Sequence, residues 1–274
     1  MGSDSIEIEN QWSLTPLKKN QWSLTPLKMT ATAVVVTGHS RGIGAAIADE
    51  LLARDTPVLG IARHGNAELA KRFGSRLNEV RLDLSDAAAV AGWLAAGAMR
   101  DFLTEAEMAA LVNNAGLLQP IGPLETQDIA AVGQAATVNV AAALMCSAAF
   151  VHATERTRDR RILHISSGAG RKAYAGWSVY CATKAALDHH ARAVALDRTP
   201  RLRINSLAPG IIETAMQAEI RASTPEKFPD HERFVTMKRE GRLHDVKEAG
   251  RLIVELLWSD AFGKEPVSEL HWPA

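Results

Sequence analysis

The sequence predicts an α/β fold: a single doubly wound parallel sheet with helices on both faces. Three observations carry that prediction. Short β-branched runs alternate with Ala- and Leu-rich stretches from Thr32 onward, the pattern of right-handed βαβ crossovers. The first run leads at once into a glycine-rich turn and then into helix-forming residues. Residues suited to binding fall at the ends of successive runs, at Gly38, Arg63, Asp83, Asn113, Ser167 and Pro209. Open parallel sheets bind ligands at the carboxyl ends of their strands, so these loop tips are predicted to share one cleft.

Bulk properties narrow the class. The 274 residues are 47% hydrophobic and 23% charged, enough for one large domain or two small ones. Lys plus Arg and Asp plus Glu both number 31, a formal net charge of zero. That removes the electrostatic case for nucleic acid or an anionic membrane as partner. The two cysteines, Cys146 and Cys181, match no metal spacing and no disulfide framework. No metal site is expected from them or from the histidines, and a reducing cytoplasm is the simplest home. The segment from Ile129 to Thr154 is long and uncharged, but Gln134, Thr137, Asn139, Ser147 and His152 lie inside it. Those groups are costly in lipid, so a helix buried in a core or an interface is expected.

Residues 1–28 differ from the rest. Asn10–Lys18 recurs word for word as Asn20–Lys28. Two short copies do not make a repeat architecture, and no apolar stretch marks a signal peptide. They read as an appended leader or a disordered arm, with one domain over 29–274.

Taken in order, Ala33–Val36 is a buried strand. It enters Thr37-Gly38-His39-Ser40-Arg41-Gly42-Ile43-Gly44 and a helix to Arg54. This order aims backbone N–H groups and a helix N-terminus at a phosphate. Gly38 permits the tight turn, while Gly42 and Gly44 allow close approach of ligand and helix. His39 reads as a loop donor. Pro57–Ala62 is the second strand. An acidic residue after it would accept from a ribose 2′-OH, but the residue there is Arg63, and Arg41 adds a second cation. Two guanidinium groups suit a 2′-phosphate, so NADP(H) is the expected cofactor. Val80–Leu84 is the third strand and its exit, with Asp83 and Leu84 placed for the adenine. Asp86–Gly97 is a helix. Ala109–Val112 is the fourth strand and ends in Asn113-Asn114-Ala115-Gly116. A helix then runs from about Thr126 toward Glu155. Arg161–Ile165 is the fifth strand, Ser178–Thr199 a helix, and Leu202–Leu207 the sixth strand, ending at Pro209-Gly210. Residues 210–242 form a partly helical substrate flap, broken by Pro225 and Pro229. Asp245–Ser259 is the last helix, and Glu265–Glu269 an edge strand that tolerates its proline.

The chemistry centres on Ser166–Lys184. Tyr180 and Lys184 are four residues apart and share a helix face. An ammonium near a phenol favours the phenolate, and a phenol so tuned passes protons near neutrality. Ser167 ends a strand, where its hydroxyl can bind an oxygen that gains charge.

Together these segments resemble the short-chain dehydrogenase/reductase family. The matching pieces are Thr37-Gly38 with Gly42-Ile43-Gly44, Asn113-Asn114-Ala115-Gly116, Asn139, Ser167, Tyr180 with Lys184, and Pro209-Gly210 with Thr214. The resemblance covers roughly Thr32 to Glu269. It implies a Rossmann-like domain and a catalytic set of Asn139, Ser167, Tyr180 and Lys184. Tyr180 would be the general acid in carbonyl reduction, and Ser167 would hold the substrate oxygen. Lys184 would bind the nicotinamide ribose and lower the Tyr180 pKa, and Asn139 would keep a water in a proton relay. The cofactor would lie along Gly38, Ser40, Arg41, Gly42, Ile43, Gly44, Arg63, Asp83, Leu84, Asn113, Ala115, Gly116, Tyr180, Lys184, Pro209, Gly210, Ile212 and Thr214. The stretches Pro209–Gln217, Lys238–Leu243 and Ser259–Gly263 are similar to the branch of sepiapterin reductases and bacterial benzil reductases. Ser268, with Glu269 beside it, stands where sepiapterin reductases place a pterin-holding aspartate. A ketone or vicinal dicarbonyl is therefore expected in place of a pterin. Another alcohol dehydrogenase, a β-ketoacyl thioester reductase and a non-catalytic NADP sensor remain alternatives. The resemblance also implies a homodimer or homotetramer.

Overall fold

The computed structural model describes residues 32–273. The expected leader over 1–28 and the domain start at Met29 lie outside them. Seven strands are β1 (Thr32–Thr37), β2 (Val58–Ala62), β3 (Leu77–Arg81), β4 (Met108–Asn113), β5 (Asp159–Ile165), β6 (Leu202–Ala208) and β7 (Val267–Glu269). They form one sheet in the order β3-β2-β1-β4-β5-β6-β7, and every neighbouring pair is parallel. The order reverses between β1 and β4, which opens a crevice at their carboxyl ends.

Both faces of the sheet are covered, which is why β1 and β2 read as unbroken apolar runs. On one face, Val34, Val36 and Val58 pack with α1 (Gly42–Ala53), α2 (Ala67–Phe73) and α10 (Val246–Trp258). On the other, Val35, Leu59, Ile61 and Leu111 pack with α3 (Ala87–Ala95), α4 (Ala98–Leu103), α6 (Ala142–Ala153) and α7 (Ser178–Leu196). Helices α1 and α10 cross so closely that a Cβ on Gly250 would lie 2.7 Å from the Ala46 backbone.

Several boundaries differ from the sequence reading, each for a local reason. The helix expected over Asp86–Gly97 is α3, and an unanticipated second one, α4, follows it after Gly97, whose left-handed φ of 87° glycine accommodates readily. Helix α2 was not anticipated; Asn66 caps it by accepting from the Leu69 N–H at 3.1 Å. Strand β5 begins at Asp159 and contains two buried arginines. Arg161 pairs with Asp159 at 2.6 Å and donates to the Leu257 and Ser259 carbonyls at the end of α10. Charge at that position suggests a surface, and only the tertiary partners explain its burial.

The long helix after β4 is real, but it is not uniform. It runs as α5 (Ile129–Ala136), a π turn (Thr137–Ala141) and α6. By length and composition Ile129–Ala153 is apolar enough to cross a membrane. In the structure it buries Cys146 and Phe150 against the second face of the sheet. The flap contains α8 (Ala215–Arg221) and α9 (His231–Arg239). Beneath them lies a third apolar cluster, with Leu118, Trp177, Tyr180, Ile220, Phe228 and Phe234 buried together.

Candidate active site

A cleft of about 1020 Å³ opens at the carboxyl ends of the strands and runs under the flap. Its first wall is built by backbone. The Thr37 hydroxyl accepts from the Asn114 and Ala115 N–H groups at 3.0 and 3.1 Å. The Asn114 amide donates to the Thr37 and Gly38 carbonyls at 3.0 and 3.2 Å. These bonds tie the turn after β1 to the turn after β4, on either side of the crevice. Gly38 has φ 71°. A Cβ on Gly44 would collide with the Gly38 carbonyl, so helix α1 seats against its own turn only with glycine there.

Helix α1 presents an open N-terminus. Its N-cap, Arg41, makes no side-chain capping bond, and no acidic residue lies in the first turn. First-turn N–H groups without a capping acceptor suit an anion. Arg41 and Arg63 line the cleft beside this turn, both exposed. His64 lines it next to Arg63. Asp83 faces the same end of the cleft. It accepts from the Ser85 N–H at 2.9 Å and the Ser85 hydroxyl at 2.8 Å. Those bonds, with the nearby charge of Arg63, hold its carboxyl below the usual range. An open helix start, glycine approach and two cations in one cleft fit a dinucleotide phosphate.

The middle of the cleft brings Ser167, Tyr180 and Lys184 together. Ser167 follows β5 and accepts from the Ala169 N–H at 3.2 Å. Lys184 donates to the Ile165 carbonyl at 2.8 Å, which fixes the ammonium beneath that strand end, 5.6 Å from the centre of the Tyr180 ring. Burial pushes the Tyr180 phenol up to about 12, against the pull of a hydrogen bond to Ser167. Burial also lowers Lys184 to about 8, with Asp188 opposing it. Both shifts have one cause: removal from water disfavours both charged forms. Tyr180 is thus held as a proton-bearing phenol.

Asn139 does not line the cleft. It sits in the π turn, accepts from the Leu117 N–H at 2.7 Å, and donates to the Leu117 carbonyl at 2.8 Å and the Thr183 hydroxyl at 3.1 Å. It clamps the segment after β4 to the helix that carries Tyr180 and Lys184. The π turn widens the helix at this residue, a local distortion common at functional sites.

Of the expected cofactor residues, Gly38, Ser40, Arg41, Gly42, Ile43, Arg63, Asp83, Leu84, Ala115, Gly116, Pro209, Gly210, Ile212 and Thr214 line the cleft with Tyr180 and Lys184. Gly44 lies behind its wall. Asn113 is turned away: it is buried and donates toward the Ser147 hydroxyl at 3.0 Å and His164 Nδ1 at 3.2 Å. Its neighbour Asn114 faces the cleft instead, because successive residues leaving a strand point to opposite sides. His39, read as a loop donor, is fully buried and bonds to Glu79 at 2.8 Å.

The substrate end is built from side chains. Trp177 stacks on Phe228 with ring centres 4.3 Å apart and planes 5° apart, and Tyr174 and Phe234 pack against Trp177. Gln119, after β4, donates to Glu219 of α8 at 2.7 Å. Both flap helices are held to Glu213, by Arg221 at 2.8 Å and Lys238 at 3.3 Å. Trp272 donates to the Pro209 carbonyl at 3.1 Å and stacks on His244, closing the far wall. The hydroxyl of Ser268 donates to Asn205 at 3.0 Å, and Glu269 pairs with Arg171 at 3.0 Å. Asn114, Gln119, Trp177, Glu219 and Trp272 were not anticipated as site residues. Asn114 stood within a recognised motif and Trp177 within the Ser166–Lys184 stretch; the others carry no local signal.

Comparison with known proteins agrees with this geometry. The family model described as short chain dehydrogenase matches residues 32–225. A protein of Bacillus cereus named benzil reductase ((S)-benzoin forming) is 33% identical over 84% of this chain and 95% of its own length. A sepiapterin reductase of Xenopus tropicalis is 29% identical over 83% of this chain and 92% of its own. A solved short-chain dehydrogenase/reductase from Burkholderia vietnamiensis is 50% identical, with TM-score 0.65, covering 86% of this chain and 95% of that one.

Proposed function

From the premise that this chain belongs to the short-chain dehydrogenase family and is an oxidoreductase, we propose that it is an NADPH-dependent reductase of ketones or vicinal dicarbonyls. One observation carries the reading. A proton-bearing Tyr180, Ser167 and Lys184 stand in the same cleft as an uncapped helix start flanked by Arg41 and Arg63.

When bound, the nicotinamide supplies the hydride. The chain's residues do the rest. First-turn N–H groups of α1 hold the diphosphate, and Arg41 and Arg63 hold the 2′-phosphate. Lys184, fixed by the Ile165 carbonyl, binds the ribose hydroxyls. The Ser167 hydroxyl donates to the substrate oxygen, and the Tyr180 phenol delivers its proton there. Positioned acid catalysis of this kind contributes roughly 10²–10⁴-fold. Asn139 maintains the geometry by holding Leu117 against Thr183.

Aromatic walls and a hydrogen-bonded Gln119–Glu219 pair suit an uncharged carbonyl compound. Glu219 disfavours anionic substrates such as keto acids and phosphopantetheine thioesters. The benzil reductase name of one relative supports a dicarbonyl. Glu269 is engaged by Arg171 and Ser268 by Asn205, so neither offers the free carboxylate a pterin would need. A small-molecule carbonyl substrate, a cytoplasmic setting and a homodimeric or homotetrameric state belong to the same proposal. The test is oxidation of NADPH, with NADH in parallel, against benzil, other vicinal diketones, sepiapterin and a β-ketoacyl thioester. Turnover of diketones with NADPH is expected. Tight NADPH binding with no turnover on the whole panel would replace the reductase by a sensor.

A further inference from the structure

The two arginine-bearing turns are joined by a small network behind the cleft wall. Gly60 of β2 and Glu79 of β3 are partners in the sheet register. The His39 ring lies over Gly60, where any Cβ would collide with it. Only glycine at 60 leaves room for that ring. Sheet partners present their side chains on the same face, so Glu79 meets the edge of the ring, and His39 Nε2 lies 2.8 Å from Glu79 Oε1. The same oxygen accepts from the Asn66 N–H at 2.6 Å. A carboxylate acceptor places the ring proton on Nε2. Asn66 in turn donates from its amide to the Ser40 carbonyl at 3.3 Å, while its oxygen caps α2. His39 and Ser40 precede Arg41; Asn66 follows Arg63 by three residues.

We infer that Glu79, with His39 and Asn66, is a positioning network that sets the spacing of Arg41 and Arg63 for the 2′-phosphate. The inference rests on the NADPH reading above. Neither arginine has an ion-pair partner among the described residues, so their turns must be held from behind. Burial alone would raise the Glu79 carboxyl, yet the bonds from Asn66 and His39 hold it below the usual range. The group is therefore a charged acceptor at neutral pH. A carboxylate near a phosphate site is by itself unfavourable for a dianion. That fact makes the sign of the test informative.

The experiment measures dissociation constants of NADPH and NADH for the wild type, Glu79→Ala and Glu79→Gln by fluorescence titration. If Glu79 positions the turns, Glu79→Ala weakens NADPH about tenfold and leaves NADH within about twofold. Glu79→Gln, which keeps an acceptor oxygen, retains most of the NADPH affinity. If Glu79 is only a nearby charge, Glu79→Ala binds NADPH more tightly, and the inference fails. Equal weakening of both nucleotides, or none, also overturns it. A wild type that does not prefer NADPH overturns the cofactor reading itself, and this inference with it. Should Glu79→Ala fail to fold, Asn66→Ser replaces it. Serine keeps the helix cap but gives up the bond to the Ser40 carbonyl, and the same selective loss of NADPH is required.

Discussion

The two ends of the cleft are made of different materials. The cofactor end is mostly main chain, with turns after β1 and β4 bonded to each other through Thr37 and Asn114. The substrate end is mostly rings, with Trp177 from one segment stacked on Phe228 from another, 51 residues along the chain. Main-chain walls depend on which conformations glycine permits and hardly change with side-chain identity. Ring walls depend on each side chain that fills them. One scaffold can therefore keep its cofactor geometry while its substrate end varies.

The sharpest way to break that contrast is at Tyr180, where the two ends meet. Tyr180→Phe is expected to lower kcat by about 10³-fold while the NADPH dissociation constant stays within about twofold. Retention of even a tenth of the turnover would remove Tyr180 as the acid. Next is the ring wall. Trp177→Ala should cost about 3 kcal/mol of stability in denaturant unfolding and raise KM for a diketone, with NADPH affinity unchanged. If NADPH affinity falls equally, the two ends are not separable.

A third prediction concerns pH. Burial holds Lys184 near 8, below its ordinary 10.5, so the unfolded chain binds this proton more tightly than the folded one. The charged amine is a cost that is fully present below pH 8 and relieved as pH rises from about 8 to 10.5. Tyr180 acts in the opposite sense from about 10 to 12, because its folded phenol keeps its proton longer. Stability should thus rise between pH 8 and 10, by an amount on the order of 2 kcal/mol. Lys184→Met should flatten that rise; an unchanged slope would mean that Lys184 is not its source. The smallest effect is at the cofactor end. Arg63→Asp should weaken NADPH by about tenfold and leave NADH nearly unaffected, and equal effects on both would sink the 2′-phosphate assignment.

The contrast also explains which features are legible in the sequence. The strand runs, the glycine turn and the Tyr180–Lys184 spacing are local, and each states its geometry within ten residues. The choice between Asn113 and Asn114 depended on which way the chain leaves β4. The pKa of Tyr180 depended on how deeply α7 is buried, a tertiary quantity. Gln119 and Glu219 are a hundred residues apart, and nothing near either one announces the other. The burial of the β5 arginines has the same character: Arg161 donates to carbonyls at the end of α10, and Arg160 to those of Val151 and Pro200.

The crossing of α1 and α10 has a consequence for synthesis. Helix α1 opens the cofactor site, but the helix that braces it through Gly250 is translated roughly 200 residues later. At ordinary elongation rates that gap is about 10–40 s. During it the nascent chain carries Ile47 and Leu51, whose final packing partners include Ile253 and Leu257, without their cover. Until α10 emerges, the apolar face of α1 has only local cover, and the turn it opens lacks the brace that Gly250 provides.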